Sequence, residues 1–326
     1  TGFIAVVRDP LAIRLGVFFL GLTTQMYRPA MQASVADLVP PERRARAYGL
    51  VYWAVNVGFG VSLSIGGALA AASFTNLFLG DAAAMLLFGL IVWRKVPETR
   101  PARAIADAAA GRSPGGLGAR LGALLDDVAP LLRDRVLLVF LVLHFLFATV
   151  MFQFNVSVPI DMRRNGIGPQ GYGLLMALNG ITIAIVQPFA VRVLARFERA
   201  RVMSVAAILL GTGYGLFAVV ATPPWYAFAI VLWTLGEICH TPIATATVAD
   251  LAPAALRGRY QGAYGMAWGL AMFVGTQTGA DVLDRFGPTA LWGGCLAVGV
   301  AVAVGQLAAA PARRRRLAVE HVVEVA

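Results

Sequence analysis

Long apolar stretches alternate with short polar breaks along almost the whole chain. From Leu11 an apolar stretch runs to about Leu38, and others cover 47–72 and 75–93. After a long polar loop come 136–160, 171–194, 202–221, 225–251, 260–280 and 289–309. About 20 largely apolar residues are enough to cross a bilayer, so the pattern predicts nine membrane-spanning helices, with 1–7 the tail of another. The breaks carry turn chemistry: Asp9-Pro10, Pro40-Pro41, 166–171, Pro223-Pro224 and Gly287-Pro288.

Composition excludes the soluble alternative. Charged residues make up 13% of the 326, about half the usual share of a soluble domain, and the mean hydropathy is +0.73. The net charge of +10 does not come from one basic stripe, as a nucleic-acid reader would need, but from clusters between apolar stretches. Cys239 and Cys295 lie far apart inside such stretches, and His144, His240 and His321 are the only histidines, so neither a disulfide framework nor a metal-ligand spacing is present. The chain also lacks HExxH, Walker A and GxSxG patterns. We read it as a non-enzyme without metal or cofactor.

Basic residues orient the spans. Following the alternation, 21 of the 27 fall on the side that also holds the C-terminus, and four (Arg8, Arg163, Arg164, Arg285) fall on the other; Arg14 and Arg28 lie within a span. The positive-inside rule then makes the C-terminus cytoplasmic. The loop between Arg94 and Arg135 divides the chain. Its first part is Ala-, Gly- and Arg-rich, and Leu117, Leu121, Leu124, Val128, Leu131 and Leu132 then recur at helical spacing, as in an amphipathic helix on the inner membrane face or against cytoplasmic loops.

A repeat is the most specific signal. Sliding the chain by 213 residues aligns 27–67 with 240–280 without a gap, and 13 of 41 positions are identical. The matches include Pro29/Pro242, Asp37/Asp250, Leu38/Leu251, Pro40/Pro253, Arg44/Arg257, Arg46/Arg259 and Gly49/Gly262. Both copies run in the same direction through the membrane, which is the arrangement of parallel half-repeats.

On these residues the chain resembles the major facilitator superfamily (MFS), with twelve helices in two six-helix halves. Ala36 through Arg44 resembles that family's link between transmembrane helices TM4 and TM5, and Asp250 through Arg259 the link between TM10 and TM11. Val96-Pro97-Glu98-Thr99 is similar to the exit from TM6. Thr234-Leu235-Gly236-Glu237 followed by Pro242 resembles TM10 of the multidrug-exporter branch. The TM5 antiporter pattern is partial: Gly49, Gly58, Gly66 and Gly67 are in place, but Ser62-Leu63 replaces Gly-Pro. The expected fold is an all-α MFS bundle. Residues 1–95 hold the end of TM3 and TM4–TM6, 96–135 the cytoplasmic linker, 136–310 TM7–TM12 and 311–326 a basic tail. The repeat offset puts the partner of Val136 about 78 residues before Thr1, so an N-terminal truncation that removes TM1, TM2 and most of TM3 is expected.

Ionisable groups deep in a membrane are costly, roughly 2.5–3.5 kcal/mol each on insertion scales, and mark candidate sites. Gln25, Arg28 and Gln32 share one helical face, as do Glu237, His240, Thr241 and Thr245, and the repeat aligns Tyr27 with His240 and Arg28 with Thr241. The resemblance implies that TM1, TM4, TM7 and TM10 line a central cavity, to which His144 and Asn155 of TM7, eleven residues apart, would contribute. Glu237 is the candidate proton site. Its alternative is a fixed pair with Arg28 or His240. The resemblance further implies a cytoplasmic gate of Asp37, Arg44, Asp250, Arg196 and Arg199, with Asp250 on Arg196 or Arg199 and Asp37 on the loop between TM2 and TM3. The expected function is secondary transport by alternating access: proton-coupled efflux of small amphiphilic molecules by a monomer in the cell membrane. The alternatives are an uptake symporter for a small polar solute and a non-transporting membrane receptor or scaffold.

Overall fold

The computed structural model describes residues 29–72, 74–95, 129–253 and 256–316, apart from the side chains of 59–74 and 76–78. The regular structure of these residues is helical. We number the helices α1 (29–38), α2 (Pro41–Ala72), α3 (Phe74–Lys95), α4 (Arg135–Met151), α5 (Ser157–Arg164), α6 (Pro169–Leu194), α7 (Arg199–Gly215), α8 (Pro223–Leu251) and α9 (Arg257–Ala308). Among the described residues five helices are long and apolar enough to cross a membrane: Arg135–Asn155, α6, α7, α8 and α9. The linker helix proposed over 117–132 lies outside the described residues, except that 129–133 are helical.

The 52 residues of α9 would span about 78 Å if straight, more than twice a hydrocarbon core of about 30 Å. Gly287 breaks it at φ 84°, a conformation that carries no penalty for glycine, and Pro288 follows at once. Two limbs result, in agreement with the expected spans 260–280 and 289–309. The expected span 136–160 is not continuous. It leaves α-helical geometry at Met151, passes through a 3-10 turn (Phe152–Asn155) and breaks at Val156, φ −129°, before α5 begins. Polar side chains bind this turn to α9: the Gln153 amide donates to the carbonyls of Thr149 (3.0 Å) and Gly275 (2.8 Å), and Ser157 Oγ donates to Gln153 Oε1 (2.6 Å).

Helix α7 forms the centre of the larger half, packed between α8 and α9. Small residues make these contacts close. A Cβ on Gly211 would meet Gly299 Cα at 2.9 Å, and one on Gly236 would meet Ala206 O at 2.6 Å, so backbone lies against backbone. An aromatic layer of Tyr214, Phe217, Tyr226, Trp233 and Trp292 fills one end of this half. Leu137, Phe140, Met203, Ile243, Val248 and Tyr260 fill the arginine-rich end. There Asp134 caps α4 by accepting from the amides of Val136 and Leu137, and its other oxygen accepts from Tyr260 Oη at 2.7 Å. Large apolar side chains such as Leu86, Trp93, Phe189 and Phe273 are exposed along the helices, as expected of surfaces that face lipid.

The repeat has a structural signature. Tyr48 Oη donates to the carbonyl of Gln32 (2.6 Å), and Gln261 Nε2, at the position aligned with Tyr48, donates to the carbonyl of Thr245 (3.3 Å), aligned with Gln32. After the repeat we call α1–α3 and α4–α9 the two halves; α2 packs across the seam between them onto α6 and α8.

Candidate functional site

Glu237 is the midpoint of α8. It lies 13 residues before Asp250, about 20 Å along the axis and hence deep in the hydrocarbon core. Its carboxylate is buried and receives hydrogen bonds from both halves: Tyr52 Oη of α2 donates to Oε1, and Asn179 Nδ2 of α6 donates to Oε2 at 3.1 Å. Asn179 also donates to Thr234 Oγ1 (3.0 Å), whose own hydrogen goes to the Ile230 carbonyl. Among the described residues the carboxylate's hydrogen-bond partners are neutral. Neither Tyr52 nor Asn179 stood out in the sequence. The signal available for Tyr52 was its spacing: Arg44, Tyr48 and Tyr52 recur every four residues along the face of α2 turned to α8.

The other expected residues of the pathway divide. Gln25, Tyr27 and Arg28 lie outside the described residues. Gln32 offers its carbonyl to Tyr48. His240 does not join Glu237. It turns to α4, where its Nε2 meets His144 Nδ1 at 3.2 Å: a three-residue step leaves an offset of about 60° around the axis, and at this packed helix that separates the α4 side from the side turned to α2 and α6. His144 and His240 are fully buried, and Thr241 Oγ1 is buried without a hydrogen-bond partner. Asn155 is exposed at the end of the 3-10 turn, where the break in α4 removes the helical phase that related it to His144. At the seam Gln187 of α6 is buried beneath Gly49 of α2, with both amide atoms unpaired.

Ion pairs join the halves at the arginine-rich end. Arg44 Nη1 contacts Asp250 Oδ1 at 2.5 Å, with side chains only 6% and 8% exposed, and its other nitrogens donate to the carbonyls of Ala36 and Val39. Arg199 binds the second oxygen of Asp250. Asp37 pairs at 2.5 Å with Arg257, the matching arginine of the second repeat; the expected partner loop between TM2 and TM3 lies outside the sequence. Arg196 is exposed and stands apart from the cluster, on the turn before α7. Close by, Arg314 hydrogen-bonds Glu198 and holds its carboxyl below the usual range. Arg313 of the basic segment is buried. It donates to Gln306, its guanidinium lies over the Phe140 ring, and burial lowers it to about 10.

Comparison with known proteins places this architecture. The Major Facilitator Superfamily model matches residues 2–276 and, again, 141–321. A Na(+), Li(+), K(+)/H(+) antiporter of Planococcus maritimus is 24% identical over 255 residues, which cover 74% of this chain and 60% of the antiporter. The chain therefore spans less than two thirds of that relative. A human organic anion transporter shares the fold with a TM-score of 0.72 at 21% identity, covering 93% of this chain and 73% of that one. A proton:xylose symporter bound to 6-bromo-6-deoxy-D-glucose gives a TM-score of 0.57 at 16% identity, covering 84% and 65%. The family match takes in most of the chain; the chain belongs to the Major Facilitator Superfamily, a family of membrane-spanning carriers and not of enzymes.

Proposed function

We propose that this chain acts in a secondary transporter of the cell membrane that exports small amphiphilic molecules in exchange for protons, with Glu237 as the proton carrier. The observation behind this is the carboxylate's place: deep in the membrane, at a contact between the halves, with neutral partners. A buried charge without a counter-ion is expensive, which favours alternation between charged and protonated forms. The charged form accepts from Tyr52 and Asn179 in charge-assisted bonds, roughly twice as strong as neutral ones. Protonation weakens those bonds, so proton uptake loosens the Tyr52 bond across the seam. That couples a proton to the rocking of one half against the other. The domain division at 1–95, 96–135, 136–310 and 311–326 belongs to this reading, as does a monomeric working unit.

The arginine clusters support a cytoplasmic placement for the ion-paired end, where Asp37, Arg44, Arg199, Asp250 and Arg257 close the inner side. Resemblance of the 234–242 segment to exporters, and the antiporter among the relatives, favour export. Substrate flux in proteoliposomes with an imposed pH gradient tests the reading, using the full-length protein and its Glu237→Gln variant. Glutamine keeps the shape and, through its amide oxygen, one of the two accepted hydrogen bonds, but cannot carry a proton. The expected result is retained substrate binding and gradient-driven flux reduced to background. Wild-type gradient dependence in the variant would remove Glu237 from this role. Uptake that follows inward proton flow would select the symporter instead.

A further inference from the structure

Away from Glu237, within the larger half alone, α4, α8 and α9 meet at two histidines. The His144 and His240 rings have centres 5.5 Å apart and planes 6° apart, with a nitrogen–nitrogen contact of 3.2 Å. Those three values together place the rings edge to edge, nearly coplanar and hydrogen-bonded. Aromatic faces cover them. Phe147 stacks on His240 at 3.7 Å, while Trp268 and Tyr264 lie against His144 at 5.1 and 4.2 Å. Both residues are 0% exposed, and the outer nitrogens, His144 Nε2 and His240 Nδ1, make no hydrogen bond.

We propose that His144 and His240 form a single proton-binding site, distinct from Glu237, that takes up one proton per pair. The facing nitrogens share one hydrogen, so in the neutral pair one outer nitrogen carries a hydrogen and the other is bare. A proton added at the bare nitrogen makes one ring an imidazolium. The shared bond becomes charge-assisted, and the proton in it moves toward either ring. The faces of Phe147, Tyr264 and Trp268 present the negative side of their quadrupoles to that charge. A second proton would put hydrogens on both facing nitrogens and break the bond between them, so the pair stops at one. The proton leaves by the reverse path, and nothing is oxidised or reduced. The ionisable groups facing the pair are Tyr264 of α9, Glu237 one turn along α8 but bound toward α2 and α6, and Arg313 past the end of α9. Arg313 lies over Phe140, one turn before His144, and its charge opposes that of the proton.

The test uses the full-length protein without a histidine tag, with His321 and any histidine outside residues 1–326 replaced by Asn, so that only this pair is observed. With the imidazole nitrogens labelled, NMR spectra are recorded from about pH 8 to about pH 4, across and below the ordinary imidazole range. Both rings are expected to titrate together with one midpoint, each showing half of the full imidazolium change. Trp268 fluorescence should fall at the same midpoint through quenching by the charged ring, and that component should be absent from Trp268→Phe. In Glu237→Gln the titration should persist, whatever becomes of transport. Two separate midpoints, two protons per pair, or no change over the range would each overturn the proposal. So would loss of the titration in Glu237→Gln. His240→Gln should abolish the His144 change, and unaltered titration of His144 alone would show that no proton is shared; if this variant fails to fold, the count in the parent still decides.

Discussion

Asp161 and Glu237 are both buried carboxylates that accept from a tyrosine, Tyr226 (2.5 Å) in the first case and Tyr52 in the second. Asp161 lies just past the membrane-length segment Arg135–Asn155, and burial pushes its carboxyl up; Tyr226, Trp292 and Arg164 offset part of that. A carboxyl raised on folding gives the native state a greater affinity for the proton than the unfolded chain has. Its contribution is therefore fully present below the unfolded value and disappears as pH rises through the folded one. Asp161→Asn keeps an oxygen for Tyr226 and removes the charge. We expect the variant to melt at or above the wild-type temperature at neutral pH, and to lose the acid-side gain that the wild type shows. A lower neutral-pH melting temperature for the variant would contradict this. Single residues were legible in the sequence where they were expensive. Glu237 stood out because a carboxylate deep in a membrane needs a reason, whereas Tyr52 and Asn179 cost little there and left no comparable mark.

Between helices, glycine spacing sets the fit. Gly236 of α8 and Gly211 of α7 sit where a methyl group would strike backbone, while Gly265 of α9 has nothing within 4 Å of its Cβ position. Gly236→Ala should therefore destabilise the larger half by about 1–3 kcal/mol. Gly265→Ala should be neutral, or stabilising by roughly 0.5–1 kcal/mol through helix propensity alone. Thermal unfolding of the two variants in one detergent compares them directly, and equal losses would show that the close approach carries no weight. The bounds of α6, α7, α8 and the two limbs of α9 were readable from hydropathy because a span is a one-dimensional property. The break after Met151 was not. Gln153 and Ser157 vanish in an apolar average, yet their bonds to each other and to the Gly275 carbonyl hold the turn, while Tyr214 and Tyr172 donate to the carbonyls of Met151 and Phe154.

Across the whole molecule, the halves are joined by acids and bases exchanged between repeats. Asp250→Asn leaves Arg44, nearly dry, without an acid, and breaking a buried pair from one side costs about 3–5 kcal/mol. Asp37→Arg sets two guanidiniums against each other and should lower the melting temperature, though less than Asp250→Asn, since this contact is wetter. Combining it with Arg257→Asp should recover most of that loss in melting temperature; a double variant no better than the worse single one would deny the pairing. The repeat identified the residues of this cluster but not their partners: sequence equivalence relates Asp37 to Asp250 and Arg44 to Arg257, and it is silent on which copy reaches across. The exchange is what a two-fold axis produces, with residue i meeting j and j meeting i. One acid and one base at these two positions would thus be enough for two separate copies of an undivided half to clasp each other twice. The closure seen within one chain needs no invention after duplication; a homodimeric ancestor would have possessed it as soon as a single copy carried both side chains.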